Sequence, residues 1–394
     1  VRKSPVGLAT RLRTVRRLVA LSATGDGEVA EVVDDEVAVL DGRRTVDRFR
    51  EVEVELAEGT DDAILDAVVS RLVREGARRE TAMPKVARAL RPASLLPADV
   101  VVPSIGKRSS VGEVVQAALA ASAERLIHHD PLVRLGEDPE GVHQARVATR
   151  RLRSDLRTFR EQLDAEPRDR LREELGWLGD ELGRARDLDV LDDRLRRHVS
   201  ALPDDDARGV ATLLQRLRSQ RDSARAELLS AMREPRYLAL LDLLVAFVGS
   251  PPVRPETAGL RATGTVSGVM ERPWAHVERC GERLDASSPD VDLHRARIRV
   301  KRVRYAADAL APVVGKPARR FARRAAALQA VLGEHQDAVM ATAWLREQTA
   351  GTTARVAFTA GSMAGVEARA KEVARRAWPA AWNRLNDPDL RFWA

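Results

Sequence analysis

The rhythm of apolar and polar positions changes once along the chain, near residue 60. Residues 1–56 alternate with period two: VRRLVALSA, a Thr-Gly-Asp-Gly turn at 24–27, EVAEVVDDEVAVL, a turn near Asp41-Gly42, and REVEVEL from Arg50 to Leu56. Alternation broken by Gly/Asp turns predicts antiparallel hairpins. Within REVEVEL, Glu51, Glu53 and Glu55 share one face and Val52 and Val54 the other. Three carboxylates on one face repel unless a cation or basic side chains offset them. That face reads either as a cation-binding interior or as a charged edge that resists aggregation. Residues 60–91 then carry Ile64, Leu65, Val68, Val69, Leu72 and Val73 at helical spacing. The proline-bearing stretch that follows predicts a linker.

From residue 108 onward the period is helical throughout. The spacing predicts helices at roughly 111–129, 138–163, 167–198 and 205–232, with an added piece at 236–248. Gly249 to Gly264, with Pro251, Pro252 and Pro255, separates this half from a second one. That half predicts helices at roughly 265–285, 290–314, 317–348 and 353–383. Asp138-Pro139, Glu166-Pro167 and Ser288-Pro289 supply capping chemistry at three of the starts.

The halves repeat each other. HQARVATRRLRSDLRTFR runs from His143 to Arg160, and HRARIRVKRVRYAADAL from His294 to Leu310. Downstream, LGRARD at 182–187 matches LGEHQD at 332–337. The separation from the histidine to the closing aspartate is 44 residues in one half and 43 in the other. Such paired motifs predict an internal duplication of a four-helix unit. The fold class is therefore mainly α: duplicated four-helix bundles about a pseudo-twofold axis, plus a small N-terminal α+β part with antiparallel strands. The domain division is 1–91, a linker at 92–107, and 108–394, the last made of bundles at 108–248 and 262–394.

Charge changes the picture for the second part only. Residues 1–100 hold 17 basic and 18 acidic side chains, and the remainder 49 and 41. A basic excess confined to one part points to a polyanionic partner, the alternative being ordinary solvated helix surface. The single cysteine, Cys280, excludes an intrachain disulfide and a Cys-based zinc site, and fits a reducing cytosol. No apolar run approaches the length of a membrane span, and no signal-peptide pattern is present. Val1 falls inside what reads as a domain, so a cut at that end is expected.

On a wheel of about 100° per residue, His143, Arg146, Arg150, Arg153 and Arg157 form one stripe. Ala145, Ala148, Leu152, Leu156, Phe159 and Leu163 oppose it and predict the core. His294, Arg297, Lys301 and Arg304 repeat the stripe, with Asp308 in the fifth place. Like charges at this spacing destabilise an isolated helix, and the first stripe has no Glu on its own face. An anion that completes it accounts for this, and arginine suits phosphate through its planar fork. The histidines begin each stripe, where neighbouring cations favour their neutral form. They read as phosphate-binding donors rather than nucleophiles, since no orienting partner is evident. No HExxH or comparable metal spacing occurs. Asp187 and Asp337 are expected to anchor an arginine of a neighbouring helix. Arg319, Arg320, Arg323 and Arg324 are expected to extend the basic surface. The matching Arg168, Arg170 and Arg172 are interleaved with Glu173 and Glu174.

The duplicated HxxRVxxRRLR-type motif with its LGxxxD partner resembles the CHAD domain, the conserved-histidine α-helical domain, over roughly residues 108–394. The resemblance implies two four-helix bundles about a pseudo-twofold, and binding of inorganic polyphosphate along a basic central surface. It carries over His143, Arg146, Arg150, Arg151 and Arg153, and His294, Arg297, Lys301, Arg302 and Arg304, as ligand-facing residues. It also implies association with polyphosphate granules in the cytoplasm. Residues 1–91 resemble the C-terminal part of a CYTH domain, the triphosphate tunnel fold. The defining Glu-x-Glu-x-Lys of that family is absent ahead of residue 11. Glu53 and Glu55 would then be leftover metal-facing carboxylates for a divalent cation. The expected function is polyphosphate binding without catalysis, with Arg157, Arg319, Arg320 and Arg323 among the contacts and no cofactor. The rivals are metal-dependent hydrolysis of a triphosphate by residues 1–91, nucleic-acid binding by the stripes, and docking of an acidic protein. Aromatic residues make up only 4% of the chain and do not interleave either basic face, which disfavours base stacking.

Overall fold

The structure, a computed structural model, describes residues 10–22, 27–80, 83–90, 98–136, 138–199, 207–285 and 287–394. It divides into two compact units, Val1–Ala98 and Asp99–Ala394. The latter part of the expected linker belongs to the helical unit, because Val100 is buried in its core. Residues 92–97 of that linker lie outside the described residues, as does the turn at 24–27 except Gly27.

In the first unit, β1 (Arg11–Ser22), β2 (Glu28–Asp41) and β3 (Arg44–Leu56) form an antiparallel meander in the order β1-β2-β3. The alternation of Val33, Asp35 and Val37 puts them on one buried face of β2. Asp35 lies in register with Arg16 on one side and Glu51 on the other. The helical pattern over 60–91 resolves into two pieces, α1 (Asp62–Arg74) and the short α2 (Lys85–Ala89). Gly76, at φ 100°, turns the chain out of α1, and α2 begins directly after Pro84.

The glutamate face of β3 is neutralised by a side chain. Lys85 Nζ lies 2.5 Å from Glu51, 2.9 Å from Asp35 and 3.6 Å from Glu53. Arg16 grips Asp35 from β1 at 2.9 and 2.7 Å. Hydrogen bonds from Arg16 and Lys85 hold the Asp35 carboxyl well below the usual carboxylate range. The carboxylates thus surround an ammonium rather than a cavity for a metal ion. Among the described residues no group of three or more His, Cys, Asp or Glu is arranged to hold a metal. Glu55 stands further along β3, in register with Glu31.

The second unit is helical. Its first half comprises α3 (Val111–Leu135), α4 (Glu140–Thr158), α5 (Ala165–Val199), α6 (Ala207–Ala231) and α7 (Pro235–Gly249). After the one-turn α8 (Pro255–Ala258) come α9 (Val266–Gly281), α10 (Asp290–Val314), α11 (Lys316–Glu347) and α12 (Ala354–Leu385). Ser110 and Glu113 close a capping box on α3. That helix runs past the expected end at 129, through Pro131. Asp130 anchors its last turn by accepting from Tyr237 at 2.5 Å and from Arg134 at 2.8 Å. In the second half α12 is continuous where the first half breaks into α6 and α7 ahead of Pro235.

One apolar core runs through both halves, from Leu152 and Leu156 of α4 to Val303 and Leu310 of α10. A second, smaller core joins the far ends of α5 and α6 to those of α11 and α12. Beside it lies a buried ion cluster. Arg194 of α5 donates to both carboxylate oxygens of Glu367 on α12, at 2.9 and 2.7 Å, and to Glu334 on α11 at 2.7 Å. His198 Nε2 reaches the same Glu367 at 3.1 Å.

Candidate anion-binding site

The two basic helices meet: α4 packs on α10, one of the contacts that join the halves. Their apolar sides enter the core as expected, with Ala145, Ala148, Leu152, Leu156, Phe159 and Leu163 all buried. At the crossing, Tyr305 of α10 is buried, and Arg150 of α4 donates through Nε to its hydroxyl at 3.0 Å. Arg150, Arg151 and Arg304 stand 6.0, 5.5 and 5.9 Å from the Tyr305 ring centroid, within reach of its π face. In the repeat Tyr305 takes the place of Ser154, so this element has no counterpart in the first half.

Arg146, Arg150, Arg297 and Lys301 form one cationic cluster. Lys301 is pushed down to about 7, first by burial and then by Arg297, Arg150 and Arg146. Arg297 is lowered by burial and by Arg150 and Arg146. Groups from both helices therefore share one field. Asp187 and Asp337 offset part of this, each the largest influence after burial on Arg146 and Arg297 respectively. Arg146 donates to Asp187 at 3.1 Å and to the Gly179 carbonyl at 3.3 Å. Arg297 has a buried Nε without an acceptor among the described residues.

The LGxxxD segments are the floor on which the arginines lie. A Cβ on Gly183 would fall 2.2 Å from Arg146 Nη1, and one on Gly333 would be 3.7 Å from Arg297 Nε. Glycine at 183 lets a guanidinium cross the neighbouring helix at close range, whereas at 333 a Cβ would make only ordinary van der Waals contact. Asp187 anchors Arg146 as expected. Asp337 is raised by burial and lowered by the nearby Arg297 charge, the equivalent pairing without a hydrogen bond.

Each histidine has a neighbour three residues past its glycine. His294 Nδ1 is 2.8 Å from Gln336 Oε1, the orienting partner the sequence did not reveal. Arg186 is the matching residue of the first half. It is the largest charge acting on His143, whose pKa is lowered by burial and by that cation. Aligning the interior of LGRARD and LGEHQD would have exposed both.

The other expected contacts are spread out. Arg153 lies over Gly176 and Gly179 of α5. Arg151 pairs with Asp308 at 3.5 Å. Arg304 reaches Asp308 at 3.7 Å and donates to Gln329 at 3.2 Å. Arg157 and Arg302 turn to a separate cavity beside α9. Arg319, Arg320 and Arg323 are not brought to the cluster. They border a depression with Lys316, Asp389 and Leu390, about two helical turns along α11 from the residue that meets Arg304.

Asp155 is fully buried, and neither of its oxygens has a hydrogen-bond partner among the described residues. Burial pushes its carboxyl up to about 8, against a lowering by Arg151. The folded chain thus holds a proton that the unfolded chain releases above its ordinary value of 3.8. Stability should fall as pH rises across that window and level off above about 8. Asp155→Asn removes the titration. Relative to wild type it should gain up to about 5 kcal/mol between pH 4 and pH 9 in urea unfolding, at about 1.4 kcal/mol per pH unit. An equal stability difference at both pH values would refute the assignment.

The chain is 30% identical to the uncharacterized protein Rv2226 of Mycobacterium tuberculosis, over 98% of this chain and 77% of that one. It matches the structure of the CHAD domain from the plant Ricinus communis at 30% identity and a TM-score of 0.57, covering 73% of this chain and 97% of that one. PptA from Streptomyces chartreusis has the same fold at a TM-score of 0.58 and 24% identity, over 70% of this chain and 100% of that chain. The sequence model of the CHAD domain matches residues 117–346, the span that holds both histidine helices and both glycine floors. By its paired motifs and by these matches, the chain belongs to the CHAD domain family.

Proposed function

We propose that the helical unit binds inorganic polyphosphate in a groove centred on Arg146, Arg150, Arg297 and Lys301. What supports the reading is one observation above the rest: four cations from two helices stand in one cluster, where burial and neighbouring cations lower Arg146, Arg297 and Lys301, and among the described residues Asp187 is the carboxylate hydrogen-bonded to them. Such a cluster is unfavourable alone and favourable around a chain of closely spaced negative charges. Successive phosphates meet arginine forks from alternate helices, and the histidines supply further donors at the ends of the stripes. Membership of the CHAD family, whose roles centre on polyphosphate, agrees with this. Nucleic acid fits less well. Tyr305, the aromatic residue at the crossing, is buried beneath three guanidiniums, where no base can stack on it.

The experiment is a titration with long-chain polyphosphate and with single-stranded DNA at two salt concentrations. Four phosphate contacts imply a slope of log affinity on log salt near about −3, or roughly a 50-fold loss for a fourfold rise in salt. Polyphosphate should bind at least tenfold more tightly than DNA of equal charge. Equal affinity for both would refute polyphosphate specificity.

A further inference from the structure

The pseudo-twofold that superposes the histidine helices is broken in charge at the pair Arg157 and Asp308. It relates Arg151 to Arg302 and Arg157 to Asp308, each 151 positions apart like His143 and His294. On one flank of the crossing Arg151 therefore meets Asp308, an ion pair at 3.5 Å that Arg304 joins at 3.7 Å. On the other flank the equivalents are two arginines, Arg157 and Arg302. They face a common cavity of about 490 Å³, walled by the end of α4, the start of α5, α9 and α10. Its size lies in the range of roughly 300–1,000 Å³ that small-ligand pockets occupy.

Among the described residues two carboxylates stand on this wall, and both are engaged. Glu161 pairs with Arg160 at 3.2 Å and Arg272 at 3.5 Å. Asp169 pairs with Arg168 at 2.7 Å and Arg172 at 3.5 Å. Arg157, Arg299 and Arg302 are left without an acidic partner or an acceptor among the described residues. Their field is strong. Arg157 is pushed down to about 10 by burial and then by Arg302, Arg172, Arg153 and Arg160. Arg302 is lowered by burial and by Arg299 and Arg172. A chain that needed only stability could carry an aspartate at 157, as it does at 308.

We propose that this side pocket is a second anion site, which holds a short condensed phosphate between Arg157, Arg299 and Arg302. Three guanidinium forks in so small a volume call for several negative charges in a compact ligand. The apolar wall is limited to Leu156, Val269 and Pro273, with little to hold an organic moiety. The phosphates are either the end of a long chain that occupies the central groove or a free oligophosphate. The pocket does not depend on the groove being occupied.

The test uses the full chain and tripolyphosphate, measured by calorimetry. In a groove-defective background, Arg297→Ala with Lys301→Ala, one tripolyphosphate site should remain. Adding Arg157→Asp should weaken it at least tenfold. That variant copies the Arg151–Asp308 pair onto the second flank, so it should fold with an unchanged or raised Tm. Arg302→Gln serves as the independent variant should Arg157→Asp fail to fold. No tripolyphosphate binding in the groove-defective background overturns the site, as does binding that survives both pocket substitutions. With the groove intact, Arg157→Asp distinguishes the sources. Loss of long-chain affinity identifies a chain end, and unchanged long-chain affinity identifies a free oligophosphate. Failure of the groove reading itself would show separately, as long-chain affinity indifferent to Arg297→Ala and Lys301→Ala.

Discussion

Charge reversal at Arg146 and Arg297 together is expected to cut polyphosphate affinity by at least about 100-fold. Each arginine supplies charge-assisted hydrogen bonds worth about 1.5–3 kcal/mol, and two such losses span roughly two to four decades in affinity. The fold should survive, because the cluster opposes folding before it helps binding. Lys301 shows the sign of that effect. Its folded pKa, about 7, is below its ordinary 10.5. A depressed lysine costs stability in full below about 7, and the cost is relieved as pH rises toward 10.5, where the folded chain has shed a proton that the unfolded chain keeps. Phosphate oxygens beside Lys301 restore its charge. Binding at pH 8 should then take up close to one proton, seen as a binding heat that varies with the ionisation enthalpy of the buffer. Lys301→Arg should keep the affinity and abolish the uptake. Wild-type binding without proton uptake would place the anion away from Lys301, and affinity unmoved by the double reversal would remove the cluster from the site.

Glu367→Ala is the substitution expected to cost the most stability, about 3–5 kcal/mol, because it strands a buried cation. Arg194 is 3% exposed and Glu367 fully buried. Burial alone disfavours the Arg194 charge, but its hydrogen bonds to Glu334 and Glu367 outweigh that and raise its pKa. With Glu367 gone, Glu334 alone remains, at the edge of the cluster and half exposed. The three helices involved belong to different halves, α5 to the first and α11 and α12 to the second. The lost energy is therefore energy of association between halves. Urea unfolding should show an earlier midpoint, and the double variant Arg194→Met with Glu367→Leu should recover most of the loss, as apolar replacement of buried pairs often does. A single variant within about 1 kcal/mol of wild type would mean that water or another group relieves Arg194.

How much of the molecule was legible depends on whether local periodicity carried the information. The helical spans from α3 to α12 follow the 3.6-residue spacing of residues such as Ala145, Ala148, Leu152 and Leu156, with α4 ending at Thr158 before the expected 163. The misses have local causes with tertiary solutions. Gly76 and Pro84 divide the expected helix at 60–91, while α3 continues through Pro131 because Tyr237 and Arg134 fasten Asp130. The stripes were legible because charge at helical spacing is visible in one dimension. The floor beneath them was half legible. The repeat of Gly183 and Gly333 showed that the position matters, but not that an arginine lies across it.

The sequence alone determined that the chain is a duplicated helical domain with two basic helices and a small strand-rich part ahead of it. Those features reside in periodicity, composition and repeat spacing, all of which are local. Only the tertiary structure decided which cations meet. It joined Arg146 and Arg150 to Arg297 and Lys301, sent Arg319, Arg320 and Arg323 elsewhere, and turned Arg157 and Arg302 into a pocket of their own. It also set Lys85 among the strand carboxylates, on the face that reads from sequence either as a cation-binding interior or as a charged edge. The physical reason is that Coulomb energy and desolvation depend on distances between residues far apart in the chain. A helical wheel assigns each charge to a face, but the charge that stands opposite is set by how the helices pack.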